Sequence, residues 1–247
     1  MKQSHTGTVR VRVRPSRRSK LIGVLAIVAA TMLLPSGAQA SGKQVRVDLR
    51  VVDPSGRQLV DAVVHSSSLK VRTSPLALCF GEGTGGSGGF APTAVRGPNA
   101  MGVIADAAAE LGILRPLRVS DHYSFGHTLC GIGGVEASGL LYWAVWVDDT
   151  FVEASADNAR VRSGQDLVFH LTEEYPSTSI PSPEPREGKR VVVGSPGSFP
   201  VIGTTEGDRV LARDGARDRV SCLAGEDLVF ADRIDIVSGN CEEVRRG

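Results

Sequence analysis

The stretch "LLYWAVWVDDTF", residues 140–151, contains both tryptophans of the chain within a run of strand-favouring side chains. Successive side chains of an extended strand point to opposite faces of the sheet. Trp143 therefore shares one face with two valines, which indicates the hydrophobic core. Trp146 shares the other face with Tyr142 and Ala144. The two aspartates that follow are typical of a turn, so the stretch predicts a strand, a turn and a returning strand.

The surroundings of Trp146 have two interpretations. The ring can be half-buried beneath the loop of residues 80–98, because large aromatic side chains are usually well buried. Alternatively, Tyr142 and Trp146 form an exposed aromatic pair that stacks on a ligand, since an exposed apolar patch often marks a binding site. The loop of residues 121–135 is the alternative place for a site if the aromatic pair is not exposed, because loops on a rigid scaffold often carry function. It adds three candidate ligand-binding residues, namely His122, Tyr123 and His127.

Two further regions of the first half alternate apolar and polar residues. "KQVRVDLRVV", residues 43–52, has the period of two that predicts a strand with one buried face. The turn residues "DPSG" follow it, and "LVDAVVH", residues 59–65, predicts the returning strand. A third apolar run, "LVFHLT", lies at residues 167–172. These runs predict a sheet made largely of neighbouring antiparallel strands.

One segment between these strands has the period of a helix. "NAMGVIADAAAEL", residues 99–111, spaces its larger apolar side chains three or four positions apart. Asn99 is suited to cap the start of this helix and Gly112 to end it. Strands on both sides of a single helix predict an α+β domain with a small, mostly antiparallel sheet, over residues 41–175.

The order of these pieces resembles the C-terminal domain of transcobalamin and its bacterial relatives over about residues 43–175. The matching pieces are "NAMGVIADAAAELGI", "YSFGHTLCGIGG", "YWAVWVDD" and "VRSGQDLVF". The resemblance implies a compact, β-grasp-like module of an exported or surface protein. It also implies a binding role, because this domain forms one wall of the cobalamin site in transcobalamin. Cobalamin, or a small molecule like it, is therefore one candidate ligand.

The first 40 residues predict an export signal. A basic run precedes the apolar run "LIGVLAIVAATMLL", and the small residues Ala38 and Ala40 precede the expected cleavage point. The apolar run has 14 residues, whereas a spanning helix needs about 20. A retained membrane anchor is the alternative. Arg17 and Arg18 partly resemble a twin-arginine signal, so the export route stays open.

Cleavage after residue 40 would change the charge of the chain. It would leave 21 of the 28 basic residues against all 27 acidic ones. Nucleic acids need partners with excess Lys and Arg, so this charge argues against such a partner. The mature chain is predicted to be secreted or extracytoplasmic, with no integral membrane segment after cleavage. Its predicted partner is a small molecule or a ligand of the cell envelope.

All four cysteines lie beyond the predicted signal. An even number in an exported protein predicts two disulfides, for which three pairings are possible. The spacing lacks the CxxC pattern of a metal site. Pairing within each half of the chain favours Cys79 with Cys130 and Cys222 with Cys241, because a crossed pairing would tie the two halves together.

The second half begins with a proline-rich segment and continues with an aspartate repeat. Residues 176–190, which include "PSTSIPSPEPREG", predict a semi-extended linker, and residues 191–247 form a small all-β tail with its own disulfide. The tail resembles a degenerate calcium-binding β-roll. Its repeated aspartates, which include the candidate calcium ligands, are Asp208, Asp218, Asp227 and Asp235. Because many arginines alternate with these aspartates, an Asp/Arg ladder without calcium is the alternative.

"GGSGG", residues 85–89, fits the G-x-S-x-G pattern with Ser87 as the nucleophile. That pattern functions where a strand leads through a strained turn into a helix, and Pro92 and the glycines around it indicate a loop instead. The sequence therefore predicts an exported, non-catalytic binding or surface-interaction protein. The alternatives are a small secreted serine hydrolase that uses Ser87 and a histidine, and a structural accessory protein of the cell envelope.

Overall fold

The computed structural model describes residues 43–83, 85–183 and 188–247. The predicted signal peptide, residues 1–40, lies outside the described residues. The described chain is mostly β, with 40% strand and 7% helix. Within it, seven strand pairings are parallel and six are antiparallel. The predicted α+β class with a small, mostly antiparallel sheet is therefore wrong.

The first part of the described chain contains ten strands, one α-helix and one short 3-10 helix. In chain order they are β1 (Val45–Val52), β2 (Gln58–Ser66), β3 (Lys70–Thr73), β4 (Gly89–Pro92), α1 (Ala100–Glu110), the 3-10 helix (Gly112–Leu114), β5 (Arg118–Ser120), β6 (Thr128–Ile132), β7 (Val135–Glu136), β8 (Tyr142–Val147), β9 (Thr150–Phe151) and β10 (Asp166–Thr172). The tail adds β11 (Arg190–Val193), β12 (Pro200–Ile202), β13 (Asp208–Ala212), β14 (Arg219–Ser221), β15 (Leu228–Ala231), β16 (Ile236–Val237) and β17 (Glu243–Arg246).

The largest sheet has nine strands in the order β17-β15-β13-β11-β2-β1-β10-β8-β9. The predicted strands at residues 43–52, 59–65, 142–147 and 167–172 are all present as members of this sheet. β1 is antiparallel to β2 but parallel to β10, a pairing that alternation of side chains alone does not reveal. β8 returns into β9 through Asp148 and Asp149, which both have positive φ (47° and 58°), as the tightest hairpin turns require.

The predicted helix is confirmed, and its apolar face covers this sheet. The side chain of Asn99 accepts a hydrogen bond from the N–H of Gly102 at 2.9 Å, which caps the helix start. Met101 and Ile104 are fully buried in the main core. Glycine is needed at position 102, because a Cβ there would lie 2.4 Å from the carbonyl oxygen of Ser68. The helix can therefore pack closely against the chain that follows β2.

The tail is a two-layered, parallel β-solenoid. Its odd-numbered strands, β11 to β17, continue the nine-stranded sheet. Its even-numbered strands, β12, β14 and β16, form a second parallel sheet. Since the chain alternates between the two sheets, each coil stacks on the one before it. Small side chains and the second disulfide fill the space between the layers, namely Val192, Val201, Val210, Ala212, Val220, Val229, Ala231, Cys222 and Cys241.

The solenoid and the first part of the chain share one sheet rather than standing apart. β2 pairs in parallel with β11, and Val63 of β2 packs into the solenoid core. Nε2 of His65 lies 3.0 Å from the carbonyl oxygen of Ile202 and 3.2 Å from its N–H. An ion pair joins Arg190 to Asp48. The described residues accordingly fall within one compact unit.

The proline-rich segment, predicted as a linker over residues 176–190, packs on the sheet along its described residues 176–183. Ser177 is buried, and Ile180 packs against the small core formed by Val52, Ala144, Trp146 and Val168. The carbonyl oxygen of Pro181 accepts a hydrogen bond from the guanidinium of Arg50 at 3.0 Å. This part of the segment is therefore a cover for the outer face of the sheet rather than a free tether.

Two disulfides, Cys79–Cys130 and Cys222–Cys241, confirm the predicted pairing within each half of the chain. The first joins the segment before β4 to β6, and the second lies in the solenoid core. Disulfides persist in oxidising environments outside the cytosol, so both bonds indicate such a compartment. Within residues 43–83, 85–183 and 188–247, no helix has the length and apolar character needed to cross a membrane.

The repeated aspartates of the tail form two ladders of hydrogen bonds to backbone N–H groups, one at each corner of the solenoid. In the first ladder, Oδ1 of Asp227 accepts from the N–H of Asp208 at 2.8 Å, and Oε2 of Glu242 accepts from the N–H of Asp227 at 2.8 Å. Each step connects residues 15 to 19 positions apart, which is one coil. The carboxylates therefore hold each coil to the next.

The second ladder repeats this arrangement at the other corner. Oδ1 of Asp218 accepts from the N–H of Phe199 at 2.9 Å, and Oδ1 of Asp235 accepts from the N–H of Asp218 at 2.9 Å. The aspartate rhythm of the sequence thus arises because consecutive aspartates occupy alternate corners. In Asp218, Asp227 and Asp235, Oδ1 accepts from a backbone N–H group rather than from an arginine, and Oδ2 of Asp218 and of Asp227 is buried without a partner among the described residues.

The arginines of the tail lie on the outer face instead. Arg209, Arg213 and Arg245 surround the ring of Phe230 at 5.2 to 5.7 Å from its centroid, a favourable cation-π arrangement. Among the residues that the structure describes, no group of three or more His, Cys, Asp or Glu side chains is arranged to hold a metal ion. The predicted calcium ligands Asp208, Asp218 and Asp227 are instead parts of the two ladders.

The stability of the tail should depend on the protonation of Asp218. Burial raises the pKa of Asp218 to about 7, although the N–H of Phe199 acts in the opposite direction. The folded state therefore holds the proton of Asp218 more tightly than the unfolded chain does. The stability that this provides is fully present below the unfolded pKa of about 3.8 and is lost as the pH rises through about 7. Asp218→Asn should therefore gain on the order of 2 kcal/mol relative to the unmodified protein between pH 5 and pH 8.

Urea denaturation of both proteins at the two pH values measures this difference. Burial also lowers the pKa of His65 to about 4, which makes the folded state less stable as pH falls below 6.5. Since both proteins contain His65, its contribution cancels in the comparison. A constant difference across the pH range would contradict the assignment of a neutral, buried Asp218.

Candidate functional site

A groove runs along the outer edge of β8. β9 pairs only with Trp146 and Val147, so the start of β8 borders an open space of about 510 Å³. This volume falls in the range of roughly 300 to 1,000 Å³ that is typical of small-molecule sites. We call it the aromatic groove after the six aromatic side chains in its walls, which are Phe80, Phe125, Tyr142, Trp143, Phe151 and Tyr175.

Several of these rings contact each other, which fixes one wall of the groove. Tyr175 meets Tyr142 edge-on with centroids 5.5 Å apart, and it meets Phe151 at 6.0 Å. Tyr175 nevertheless remains 71% exposed, and Phe125 is 58% exposed. Exposed apolar surface is costly in water by about 25 cal/mol per Å². Binding of a ligand that covers these two rings would therefore be favoured by the burial of their apolar surface.

Two buried polar atoms of the groove lack hydrogen-bond partners among the described residues. They are the indole nitrogen of Trp143 and the hydroxyl of Thr128, and both residues line the groove. Trp143 is only 6% exposed. A buried donor without a partner costs roughly 1 to 3 kcal/mol. Both atoms have less than 1 Å² of accessible surface, so the surface that the groove offers to a ligand is that of its exposed rings.

A buried carboxylate holds the two loops that border the groove together. Oδ2 of Asp157 accepts from the ring of His127 at 2.7 Å and from the N–H of His127 at 3.2 Å, and Oδ1 accepts from Ser155 Oγ at 2.7 Å. Burial acts to raise the pKa of Asp157, but the hydrogen bonds from Ser155 and His127 outweigh it and lower that pKa. The carboxylate is therefore charged and fully paired.

This arrangement positions a loop and lacks the geometry of a nucleophilic triad. In such a triad the histidine lies between the serine and the carboxylate. Here Asp157 lies between Ser155 and His127, so the serine hydroxyl donates to the carboxylate rather than to the imidazole. His127 is one of the predicted ligand-binding residues, and the structure places it in the groove wall as a fixed, largely buried side chain.

Trp146 lies outside the groove, on the opposite face of the sheet from Trp143. It is 6% exposed and packs in a small core with Val52 and Val168. Its cover consists of Phe151, with ring centroids 5.7 Å apart, and Ile180 of the proline-rich segment. Trp146 is therefore buried. It does not form an exposed pair with Tyr142, and the loop of residues 80–98 is not what covers it.

Of the remaining predicted ligand-binding residues, one lies in the groove wall and two lie behind it. Tyr142 lines the groove, and its hydroxyl donates to the carbonyl oxygen of Glu174 at 2.6 Å. Tyr123 stacks on Phe125 with centroids 5.1 Å apart, and His122 contacts Tyr123 edge-on at 5.4 Å. His122 and Tyr123 therefore lie behind an exposed ring of the groove rather than in its wall.

Sequence reasoning missed Phe80 and three further rings of the groove. Phe125 lies in the loop of residues 121–135, where the sequence predicted Tyr123 and His127 as ligand-binding residues instead. Phe151 follows the acidic turn and is the only large apolar residue of β9. Tyr175 directly precedes the proline-rich segment, so its ring could be placed only once that segment was seen to pack on the sheet. No periodic pattern includes any of these three residues.

Ser87 lies in a different environment from that of a catalytic serine. Its hydroxyl and its backbone N–H both donate to the carboxylate of Asp121. The Ser87 hydroxyl thus donates to a carboxylate rather than to the histidine that the alternative of a serine hydrolase requires.

The comparisons with known proteins assign no family to this fold. No family model matches the chain, and no curated protein matches it. The resemblance to the C-terminal domain of transcobalamin therefore stays a prediction from the sequence.

Proposed function

We propose that this chain is an exported, non-catalytic binding protein and that its ligand lies in the aromatic groove. The observation that carries the proposal is the pair of strongly exposed rings, Phe125 and Tyr175, in the walls of one groove. Exposed rings in a concave site are unfavourable until something covers them.

The chemistry of the groove favours a ligand with a flat apolar face and a hydrogen-bonding edge. Stacking on Phe125 and Tyr175 requires the flat face. The exposed carboxylate of Glu153, which also lines the groove, can accept a hydrogen bond from a hydroxyl or amide edge. A sugar ring of an envelope glycan and the planar groups of a cobalamin-like molecule both have this chemistry. The two disulfides are compatible with an exported protein that meets such ligands.

Titration calorimetry and tryptophan fluorescence test the proposal with two probes, the trisaccharide of N-acetylglucosamine and cobalamin. We expect one of them to bind, and we expect Phe125→Ala and Tyr175→Ala to weaken that binding about tenfold, because each removes a stacking ring worth on the order of 1.4 kcal/mol. Both rings are exposed, so neither substitution should disturb the fold.

The matched control is Phe90→Ala, because Phe90 is an equally exposed phenylalanine (72%) outside the aromatic groove. It should leave binding of either probe unchanged. The proposal fails if neither probe binds, or if Phe90→Ala weakens binding as much as Phe125→Ala does.

A further inference from the structure

A second groove, of about 1140 Å³, lies between α1 and the β3-β4 ribbon. Its floor includes Ala105, Ala108 and Ala109 of the helix. These side chains end at Cβ, so the alanine run leaves room above the helix that larger residues would fill. We call this space the basic groove, for the charges described below.

Two large apolar side chains of the basic groove are strongly exposed. Leu76 and Phe90 are each 72% exposed. Exposure on this scale within a concave site is unfavourable, and it commonly marks a place where a ligand or partner binds. The floor and these walls would suit an acyl chain or another apolar body.

Four cationic side chains line the same groove, namely Lys70, Arg72, Arg115 and Arg118. Lys70 and Arg72 alternate with buried residues of β3 and therefore lie on one face of the ribbon. The guanidinium of Arg72 lies 5.8 Å from the ring centroid of Phe90 on the facing strand. The chain has only one more basic than acidic residue, so four cations around one groove are a local concentration of charge.

The acidic groups near the basic groove leave most of this charge unbalanced. Asp106 lines it, but its carboxylate already accepts hydrogen bonds from the backbone of Ser67 and Ser68 and from the Ser68 hydroxyl. Glu136 lies 3.8 Å from Nε of Arg118. Among the described residues, no carboxylate forms an ion pair with Lys70, Arg72 or Arg115.

Two buried polar atoms of the lining residues also lack hydrogen-bond partners among the described residues. They are Oγ1 of Thr73 and Nε of Arg118. Donors that are buried without partners cost roughly 1 to 3 kcal/mol, and more when they are charged. Both atoms are buried, and Nε of Arg115 already donates to the carbonyl oxygen of Ala108, so an anion in the groove would bind chiefly to the exposed side chains of Lys70 and Arg72.

We infer that the basic groove binds an anionic amphiphile, a molecule with an apolar body that ends in a carboxylate. The apolar body would lie on the alanine floor between Leu76 and Phe90, and the carboxylate would bind to the cationic side chains of the ribbon. A guanidinium such as that of Arg72 matches the two oxygens of a carboxylate in a bidentate contact. This inference is independent of the ligand in the aromatic groove.

A fluorescent fatty acid, 11-(dansylamino)undecanoic acid, tests the inference on the full chain after removal of the predicted signal peptide. We expect saturable binding that weakens as salt concentration rises, because exposed charges are screened. The uncharged methyl ester of the same probe should bind at least about tenfold more weakly, since it lacks the charge-assisted hydrogen bonds. Equal affinity for acid and ester would overturn the inference.

Two sets of variants locate the site. Phe90→Ala, and the double variant Lys70→Gln with Arg72→Gln, should each weaken binding of the acid about tenfold. The controls are Phe125→Ala and Arg219→Gln, which remove an exposed ring and an exposed cation elsewhere, and both should bind the acid as the unmodified protein does. Loss with Phe125→Ala but not with Phe90→Ala would place the probe in the aromatic groove and overturn the inference.

A third arm distinguishes a free carboxylate from a lipid surface. Vesicles of phosphatidylglycerol should not retain the protein during sedimentation, because the proposed ligand enters the groove as a single molecule. Retention by vesicles without binding of the monomeric acid would contradict the inference. Failure of glycan or cobalamin binding would leave this result untouched, since the two grooves are lined by different residues.

Discussion

Trp146→Ala should lower the free energy of unfolding by about 3 to 5 kcal/mol, the usual cost of removing a buried large aromatic side chain. The ring is 6% exposed and lies in a small core with Val168, beneath Phe151 and Ile180. The substitution would leave a cavity in this small core, which adds to the loss of burial. Trp143→Ala, on the opposite face, should cost a similar amount.

Urea denaturation followed by circular dichroism measures both effects. Tyr175→Ala is the matched control, since it removes a neighbouring ring that is 71% exposed, and it should cost less than about 1 kcal/mol. If Trp146→Ala cost no more than this control, the proline-rich segment would not cover the outer face of the sheet in solution. The packing of residues 176–183 described above would then be wrong.

Removal of the Cys79–Cys130 disulfide, by the double substitution to serine, should cost about 4 kcal/mol. The bond closes a loop of 51 residues, and the entropy that it removes from the unfolded chain grows with loop length. Removal of Cys222–Cys241, which closes 19 residues, should cost about 3 kcal/mol on the same basis. Both losses are large against a typical stability of about 5 to 15 kcal/mol.

Denaturation of the two double variants, compared with the unmodified protein under oxidising conditions, gives both values. The difference between the bonds also reports on the fold. Because the solenoid shares a sheet with the first part of the chain, loss of either disulfide should lower one common unfolding transition. Two separate transitions would show instead that the two halves unfold independently, as the sequence alone suggested.

The parts of the fold that the sequence predicted correctly are those that local rules determine. The alternation in β1 and the helical period of α1 follow from which face each side chain buries, and Asn99 caps the helix as expected. The cysteine pairing was predictable because each pair lies within one half of the chain. Trp143 was correctly assigned to the core because its strand neighbours on that face are aliphatic.

The parts that the sequence did not predict depend on contacts between distant segments. The pattern of apolar and polar residues in β2 is the same whether β2 is an edge strand or pairs with a further parallel strand such as β11. The sequence therefore could not predict that β2 and β11 belong to one sheet. Composition indicated that the proline-rich segment could not form a core, yet Ile180 and Tyr175 let it cover one. The aspartate rhythm was recognised, but its hydrogen-bond partners are backbone groups, which carry no signature in the sequence.

The continuous sheet also limits how the length of this protein can vary. One end of the solenoid is fused to β2, so new coils can be added or lost only beyond β15 and β17. Each added coil would find a backbone N–H group at the corner of the previous coil ready to donate to the carboxylate that the new coil brings, as Asp227 donates its N–H to Glu242. Gain or loss of a repeat there would leave the residues that line both grooves in place.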